Sequence, residues 1–587
     1  MFKISTRVLF ALTLTATSIS NMASAADIKC LPTSKAPQTK AAVKGISYVG
    51  SSIANADFDT SAAEIVSYDS CTDKLFVVNA KSQRVDVLGF DSQTQPKHER
   101  AIDLSKAGTE AGIEIGAANS VSTYKGIVAV AIENKVKQKE GVIALYRADT
   151  LDLLKTFPAG ALPDMVSISN DGRYIASANE GEPNSDYSVD PRGSITLVDI
   201  SKGIDQAEVT QIGFEDFNHG QARQHELPSE VRISGPNASV AQDLEPEYLT
   251  FAGNGKLFVS LQENNALAKI DLPTARVEAI YPLKGKSWSQ SELDASNKDG
   301  IAGNLKAYPK LEGLYMPDSI ASATINGQQY VLTANEGDGR EYGYQTTQLL
   351  CDEKGHSWDG DDYSNSPQYK TEQDFCIVYS DELRGKKLKV DADHPLAQAL
   401  KDNKALARLK VIAPQNQLSK DDTVYAFGAR SFSIWNDKGE QVFDSGDEFA
   451  RIVLSLGSDN FNSSNDSNLS GDDRSDDKGV EPEAIEVANI HGATYAFIGL
   501  ERQGGIMTYD ISDPAKAKFV HYLNSREFTQ PVCTQVNGDG ECESDQFNPS
   551  AGDLGPESIH HFVRNNQHFI AVGNEVSGTT TIYKVDI

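Results

Sequence analysis

The stretch PDMVSISNDGRYIASANEG (Pro163–Gly181) holds two short apolar-rich runs separated by Asn170-Asp171-Gly172. Such a turn supplies the positive φ of a tight hairpin, so the stretch predicts two antiparallel strands ending in Asn179-Glu180. The pattern returns four times: Pro246-Glu247 to Glu263, Pro317-Asp318 to Glu336, Pro482-Glu483 to Glu501 and Pro556-Glu557 to Glu575. The step from proline to closing glutamate is 17, 17, 19, 19 and 19 residues, while the spacers between copies vary widely. A fixed unit with variable spacers marks a repeat architecture carrying insertions.

Two more units lack the proline but keep polar residues at the open end, Glu64 with Asn79 and Asn119 with Glu133. A third strand trails most units, as in GSITLVDI (Gly193–Ile200) and GIMTYDI (Gly505–Ile511). The reading is therefore all-β, a seven-bladed β-propeller over residues 45–587 with long inserted loops. The insertions fall near 214–241, 341–422 and 459–478, and Phe427–Trp435 is expected to complete the blade opened at Pro317. Ile46–Ser52 is expected to close the last blade and so hide its edge. His394–Arg408 is the best local helix candidate.

Residues 1–25 read as a secretory signal peptide, with Lys3, Arg7, an apolar run and Ala23-Ser24-Ala25; residues 26–44 read as a polar tether. Its removal takes the formal charge of −29 to −31, because two basic and no acidic residues leave. That balance argues against nucleic acid and anionic lipid surfaces. No second long apolar segment follows, so no membrane span is expected. Six cysteines in an exported chain point to disulfides. Proximity favours Cys30–Cys71, Cys351–Cys376 and Cys533–Cys542, one of fifteen connectivities.

In a hairpin the start of the first strand lies beside the end of the second. Asp164 should therefore approach Glu180, Glu247 approach Glu263, Asp318 approach Glu336, Glu483 approach Glu501, and Glu557 approach Glu575. Radial blades would gather these acids at one mouth, where repulsion calls for cations or shared protons. Two readings stand. The acids make blade-corner salt bridges, or they hold a divalent cation, calcium being the candidate. Arg340, Arg430 and Arg502 follow or flank the copies and are candidate contacts to a ligand or phosphate. In the hydrophilic loop 459–478, Asp466, Asn468, Ser470 and Asp477 match oxygen positions of a calcium loop with Gly471 at the turn. Asp318-Ser319 has the acid-serine order of some phosphatase nucleophiles, although Ser319 is expected to pack within its strand.

The segment GISYVGSSIANADFDTSAAEIVSYDSCTDKLFVVNA (Gly45–Ala80), together with Ala178-Asn179-Glu180-Gly181, Ala334-Asn335-Glu336-Gly337-Asp338, Arg430–Trp435 and Gly555-Pro556-Glu557, resembles the choice-of-anchor I family. The likeness runs from Gly45 to the C-terminus. It implies an exported bacterial β-propeller similar to an animal mesenchyme-specific cell-surface glycoprotein; some members carry an alkaline-phosphatase label. No cell-wall sorting tail is read after Lys584-Val585-Asp586-Ile587, so a periplasmic or secreted location is expected. The functional expectation is a non-enzymatic scaffold binding a ligand or divalent cation at an acidic mouth. The alternative is a calcium-dependent, alkaline phosphatase-like phosphohydrolase acting on a phosphoester.

Overall fold

The computed structural model describes residues 30–31, 41–359, 373–538 and 540–587, so the signal peptide, most of the tether and Asp361-Asp362 lie outside the described residues. Among these residues, seven four-stranded antiparallel sheets follow one another along the chain. Their inner strands are Val66–Asp69, Ile115–Tyr124, Pro163–Ile168, Pro246–Ala252, Ile320–Ile325, Pro482–Ile490 and Pro556–Arg564, which define blades 1 to 7. Each inner strand lies against the next, and that of blade 7 returns to that of blade 1. The result is a β-propeller.

Blade 7 is closed by the start of the chain. Gly45–Ile53 pairs antiparallel with Thr579–Asp586, setting Ile46 opposite Val585. The third strand of blade 5 is Ser431–Asn436, which pairs with Gln328–Asn335 across nearly a hundred intervening residues. That excursion contributes three strands, Val424–Ala426, Lys410–Ile412 and Glu382–Arg384, to a five-stranded sheet completed by Gly285–Ser287 and Leu311–Leu314 from before blade 5. Glu341–Thr347, Gln373–Ser380 and Ser357–Trp358 form a smaller sheet beside it, tied by Cys351–Cys376. Cys30–Cys71 and Cys533–Cys542 are the other disulfides.

Every blade interface has its own apolar cluster. Phe432, Phe449 and Tyr509 fill the one between blades 5 and 6, for example, and Phe76, Val87 and Tyr146 that between blades 1 and 2. Polar stitches run inside these cores, nearest the axis. The amides of Thr123, Ile168, Ile485 and Val66 donate to the hydroxyls of Ser67, Ser122, Ser319 and Ser558 on the preceding blade, at 3.0–3.1 Å. Glu486 takes the serine's place between blades 6 and 7, accepting from His561 N at 3.0 Å. Ser319, just before its strand rather than within it, is thus an inter-blade clasp.

One expectation is corrected. His394–Arg408 is a run of turns with one 3-10 segment, Ala399–Lys401; its leucines pack into the small core of the five-stranded sheet rather than along a helix. An amphipathic α-helix, Glu448–Leu456, follows blade 5 and buries Phe449 and Val453. In the loop 459–478 the side chains proposed as calcium ligands have protein partners. Arg526 fills its centre, donating to Asn468 Oδ1 (2.7 Å), Ser464 O (2.6 Å) and Ser467 O (2.7 Å). Ser470 Oγ donates to Ser467 O, Asp466 accepts from Ser464, and Asp477 pairs with Lys410 and Arg474. Each of the four side chains is thus engaged by a different part of the protein.

Candidate functional site

In four of the five proline copies the acid that follows the proline is aimed by a β-bulge. Pro163 pairs with Asn179 while Met165 pairs with Ala178, leaving Asp164 as the extra residue. The same one-residue excess recurs between Pro246 and Leu249, Pro482 and Ile485, and Pro556 and Ser558. A bulge turns its side chain away from the sheet's alternation, which is how these acids come to face the axis. The residue before the proline adds strain. Leu162, Met316 and Glu481 have φ of 49°, 40° and 51°, a region that costs a non-glycine residue roughly 1–3 kcal/mol.

The ten repeat acids gather at one mouth. Glu247 feels the charges of Glu180, Glu263, Asp318 and Asp164; Glu483 feels Glu336, Asp318, Glu557 and Glu501; Glu557 feels Glu575 and Asp318. Carboxylate oxygens of Asp164, Glu180 and Glu247 all lie within 4.8 Å of one another, as do those of Asp318, Glu336 and Glu483, and of Glu336, Glu481 and Glu501. Burial, reinforced by neighbouring acids, pushes Asp164 up to about 7 and Asp318 to about 8, and raises Glu180 and Glu247 well above the usual carboxylate range.

The two sides of the mouth are neutralised differently. On the blade 5–6 side the cations are internal. Lys478 reaches Glu336, Asp338 and Glu481, and Arg474 and Arg502 also pair with Glu481. Burial opposes ionisation of Glu481, but these three cations outweigh it and hold the group down at about 2. On the blade 3–4 side, among the described residues, none of Asp164, Glu180 and Glu247 makes an ion pair. The nearby Lys137 lies 3.9 Å from Glu133 with its side chain 54% exposed. Beside this triad Glu263 has a buried Oε2 with no hydrogen-bond partner, and Glu182 is a further, half-buried acid.

The candidate arginines divide. Arg340 is 2% exposed and turns to the 214–241 insertion and the residues that follow it, donating to Ser234, Asp243 and Glu245. Arg430 donates to the carbonyls of Asp294, Ser475 and Asp477. Both are clamps that fasten insertions, and neither offers a free guanidinium to an anion. Arg502 does stand at the mouth, paired with Glu501 (3.1 Å) and bonded to Asn465 (2.7 Å).

Sequence reasoning missed Glu182, Glu481 and Lys478. Glu481 had a signal, since it occupies the slot just before a repeat proline, as Glu245 does. Below the mouth, all seven inner strands line a cavity of about 310 Å³ with serine and threonine hydroxyls, Glu486 and His560. His560 faces this cavity, and His561 points the other way, its Nε2 2.9 Å from His568 Nδ1.

The family model of the choice-of-anchor I domain matches residues 64–514. The chain is 25% identical over 332 residues to the mesenchyme-specific cell surface glycoprotein of Strongylocentrotus purpuratus, a match spanning 52% of this chain and 40% of that one. Among solved structures, hydrazine synthase of Kuenenia stuttgartiensis aligns over 90% of this chain and 97% of its own at 10% identity and a TM-score of 0.41. The Cps50 (Swd1) β-propeller domain of Myceliophteria thermophila aligns over 92% and 99% at 7% identity and a TM-score of 0.37.

Proposed function

The chain belongs to the choice-of-anchor I family, and we propose that it is a propeller scaffold whose acidic mouth binds a divalent cation at Asp164, Glu180 and Glu247. One observation carries this reading. Three carboxylates from two blades converge within 4.8 Å, and among the described residues they have no lysine or arginine as ion-pair partner. Such a group either shares protons or takes a cation, and a set made only of oxygens suits calcium, magnesium or manganese rather than a soft metal. Calcium fits best, because it accepts irregular geometry and six to eight oxygens, which water and Glu182 or Glu263 would complete. An affinity of ~10⁻⁴–10⁻³ M, usual for extracellular modules, would suffice outside the cell.

The location proposed is periplasmic or secreted. Three disulfides fit an oxidising compartment. No helix among the described residues is long and apolar enough to cross a membrane. The role is binding rather than hydrolysis: Ser319 is engaged as a clasp, and two of the three arginines are engaged as fasteners.

Equilibrium dialysis of the chelator-treated chain against calcium, magnesium and manganese tests the reading. One ion per chain is expected, with calcium preferred. Failure to retain any of the three would refute it.

A further inference from the structure

The inner strands carry a second ring of residues below the acids. Blades 1 to 4 place Ser67, Ser122, Ser167 and Thr250 three residues on from the repeat acid, or from Glu64 and Asn119 where the proline is missing. Blades 5 to 7 place Ala321, Glu486 and His560 there. Hairpin register puts the ring at one level. Ser167 pairs with Ala176, Thr250 with Phe258 and His560 with Ala571, each partner lying three residues before the end of its strand. All of these ring residues line the cavity of about 310 Å³ enclosed by the inner strands. The position before each is apolar in every blade, from Val66 to Ile559, and lies between the ring and the carboxylates above.

The fold uses only part of this ring. Ser67 and Ser122 accept the amides of Thr123 and Ile168 at 3.1 Å, and Glu486 accepts that of His561. The side chains of Ser167, Thr250 and His560 make no hydrogen bond among the described residues. Polar groups turned to an enclosed space are satisfied by whatever occupies it. The wall offers little charge to hold an ion. Among the described residues no lysine or arginine lines it, burial keeps the Glu486 carboxyl protonated up to about 7, and burial holds the His560 imidazole down at about 4.

Hydroxyls both donate and accept, a protonated carboxyl donates, and a neutral imidazole does one at each nitrogen. Set around a circle, they complement a molecule with hydroxyls around its own rim. The volume equals about ten waters at liquid density, the low end for a small-molecule site. That suits a single sugar ring and excludes a chain of them. We infer that the ring is a binding site for an uncharged polyhydroxylated molecule of monosaccharide size, recognised by Ser167, Thr250 and His560. The lining runs down to the exposed Asn170 in the blade 3 turn, so the site opens on the face opposite the acidic mouth and is independent of the cation proposed there.

Calorimetric titration of the full chain with D-glucose, D-galactose, D-mannose and myo-inositol tests this, in chelator so that no cation occupies the mouth. At least one of them should bind, one molecule per chain, with a Kd of about 1 mM or tighter. Glucuronate and glucosamine, which add a charge to the same rim, should bind at least about tenfold more weakly than glucose or galactose. Ser167→Val/Thr250→Val removes two hydroxyls that clasp no neighbouring blade, and His560→Phe removes the imidazole; each should weaken binding by about tenfold. A wild type that binds none of the neutral probes, a charged sugar that binds more tightly than its neutral parent, or variants that bind as the wild type does would each overturn the inference. Diffraction from wild-type crystals soaked in the bound sugar needs no variant to fold. Sugar density against Ser167, Thr250 and His560 supports the site, and water alone in the cavity, or sugar only elsewhere, overturns it.

Discussion

Asp164 and Asp318 hold the same place in the repeat, each the acid after the repeat proline, yet among the described residues only the triad of Asp318 has an ion pair, between Glu336 and Lys478. The equivalence of position and difference of partner separate the two residues experimentally. Asp164→Asn removes a ligand from the proposed site and should weaken calcium binding by at least about tenfold. Asp318→Asn removes a carboxylate beside an acid already neutralised by Lys478, so affinity should stay within about twofold. Calorimetric titration of both variants checks this; equal losses would mean that the mouth acts as one diffuse charge.

The raised pKa values of the mouth acids fix a pH dependence. Asp164 and Asp318 move from 3.8 in the free residue to about 7 and about 8, through burial first and neighbouring acids second. A carboxyl whose folded value lies above its unfolded value holds its proton longer when folded. Its stabilising contribution is therefore present at low pH and lost as pH rises through this window. The metal-free chain should melt at a lower temperature near pH 8 than near pH 5. Calcium binds the ionised form, so it should stabilise more at the higher pH, by ~2.7 kcal/mol at a hundredfold excess over Kd. Thermal melts with and without chelator at the two pH values measure both effects.

Arg526 is the centre of the 459–478 loop. Its removal leaves the carbonyls of Ser464 and Ser467 and the amide oxygen of Asn468 without their donor. Breaking a buried charged network of this kind costs about 3–5 kcal/mol. Arg526→Met should therefore expose the loop to limited proteolysis between residues 459 and 478, and millimolar calcium should not protect it. Protection by calcium would revive the calcium-loop reading.

Deleting residues 45–53 removes the strand that pairs with Thr579–Asp586 and bares the last edge of the ring. Protease cleavage should then concentrate in blade 7, with mass spectrometry placing early cuts between 556 and 587. Cuts spread evenly over the blades would show that closure does not depend on this strand.

The repeat was legible because its signals are local: a turn, an alternating strand and a proline at fixed spacing each leave a trace in neighbouring residues. The outer strands were less so. Pro96–Asp103 (PKHERAID) is an exposed edge whose pattern is charged rather than apolar, and Lys518–Leu523 (KFVHYL) is a half-exposed edge without apolar-polar alternation. The pairing of acids in space followed from the hairpin, but the bulge did not, since one extra residue is a property of register between two strands. The partners of the calcium-like loop were hidden for a related reason. The Asn468 oxygen accepts from Arg526, far along the chain. Lys478 was hidden likewise, because only the folded loop brings it to Glu336.

The account stands or falls on where the first ion sits. Anomalous diffraction from crystals of the chelator-treated chain soaked in manganese, and again in calcium, locates it directly. The account predicts a peak between Asp164, Glu180 and Glu247, absent in Asp164→Asn. A mouth without a peak at saturating metal, or a peak elsewhere that persists in the variant, would contradict it.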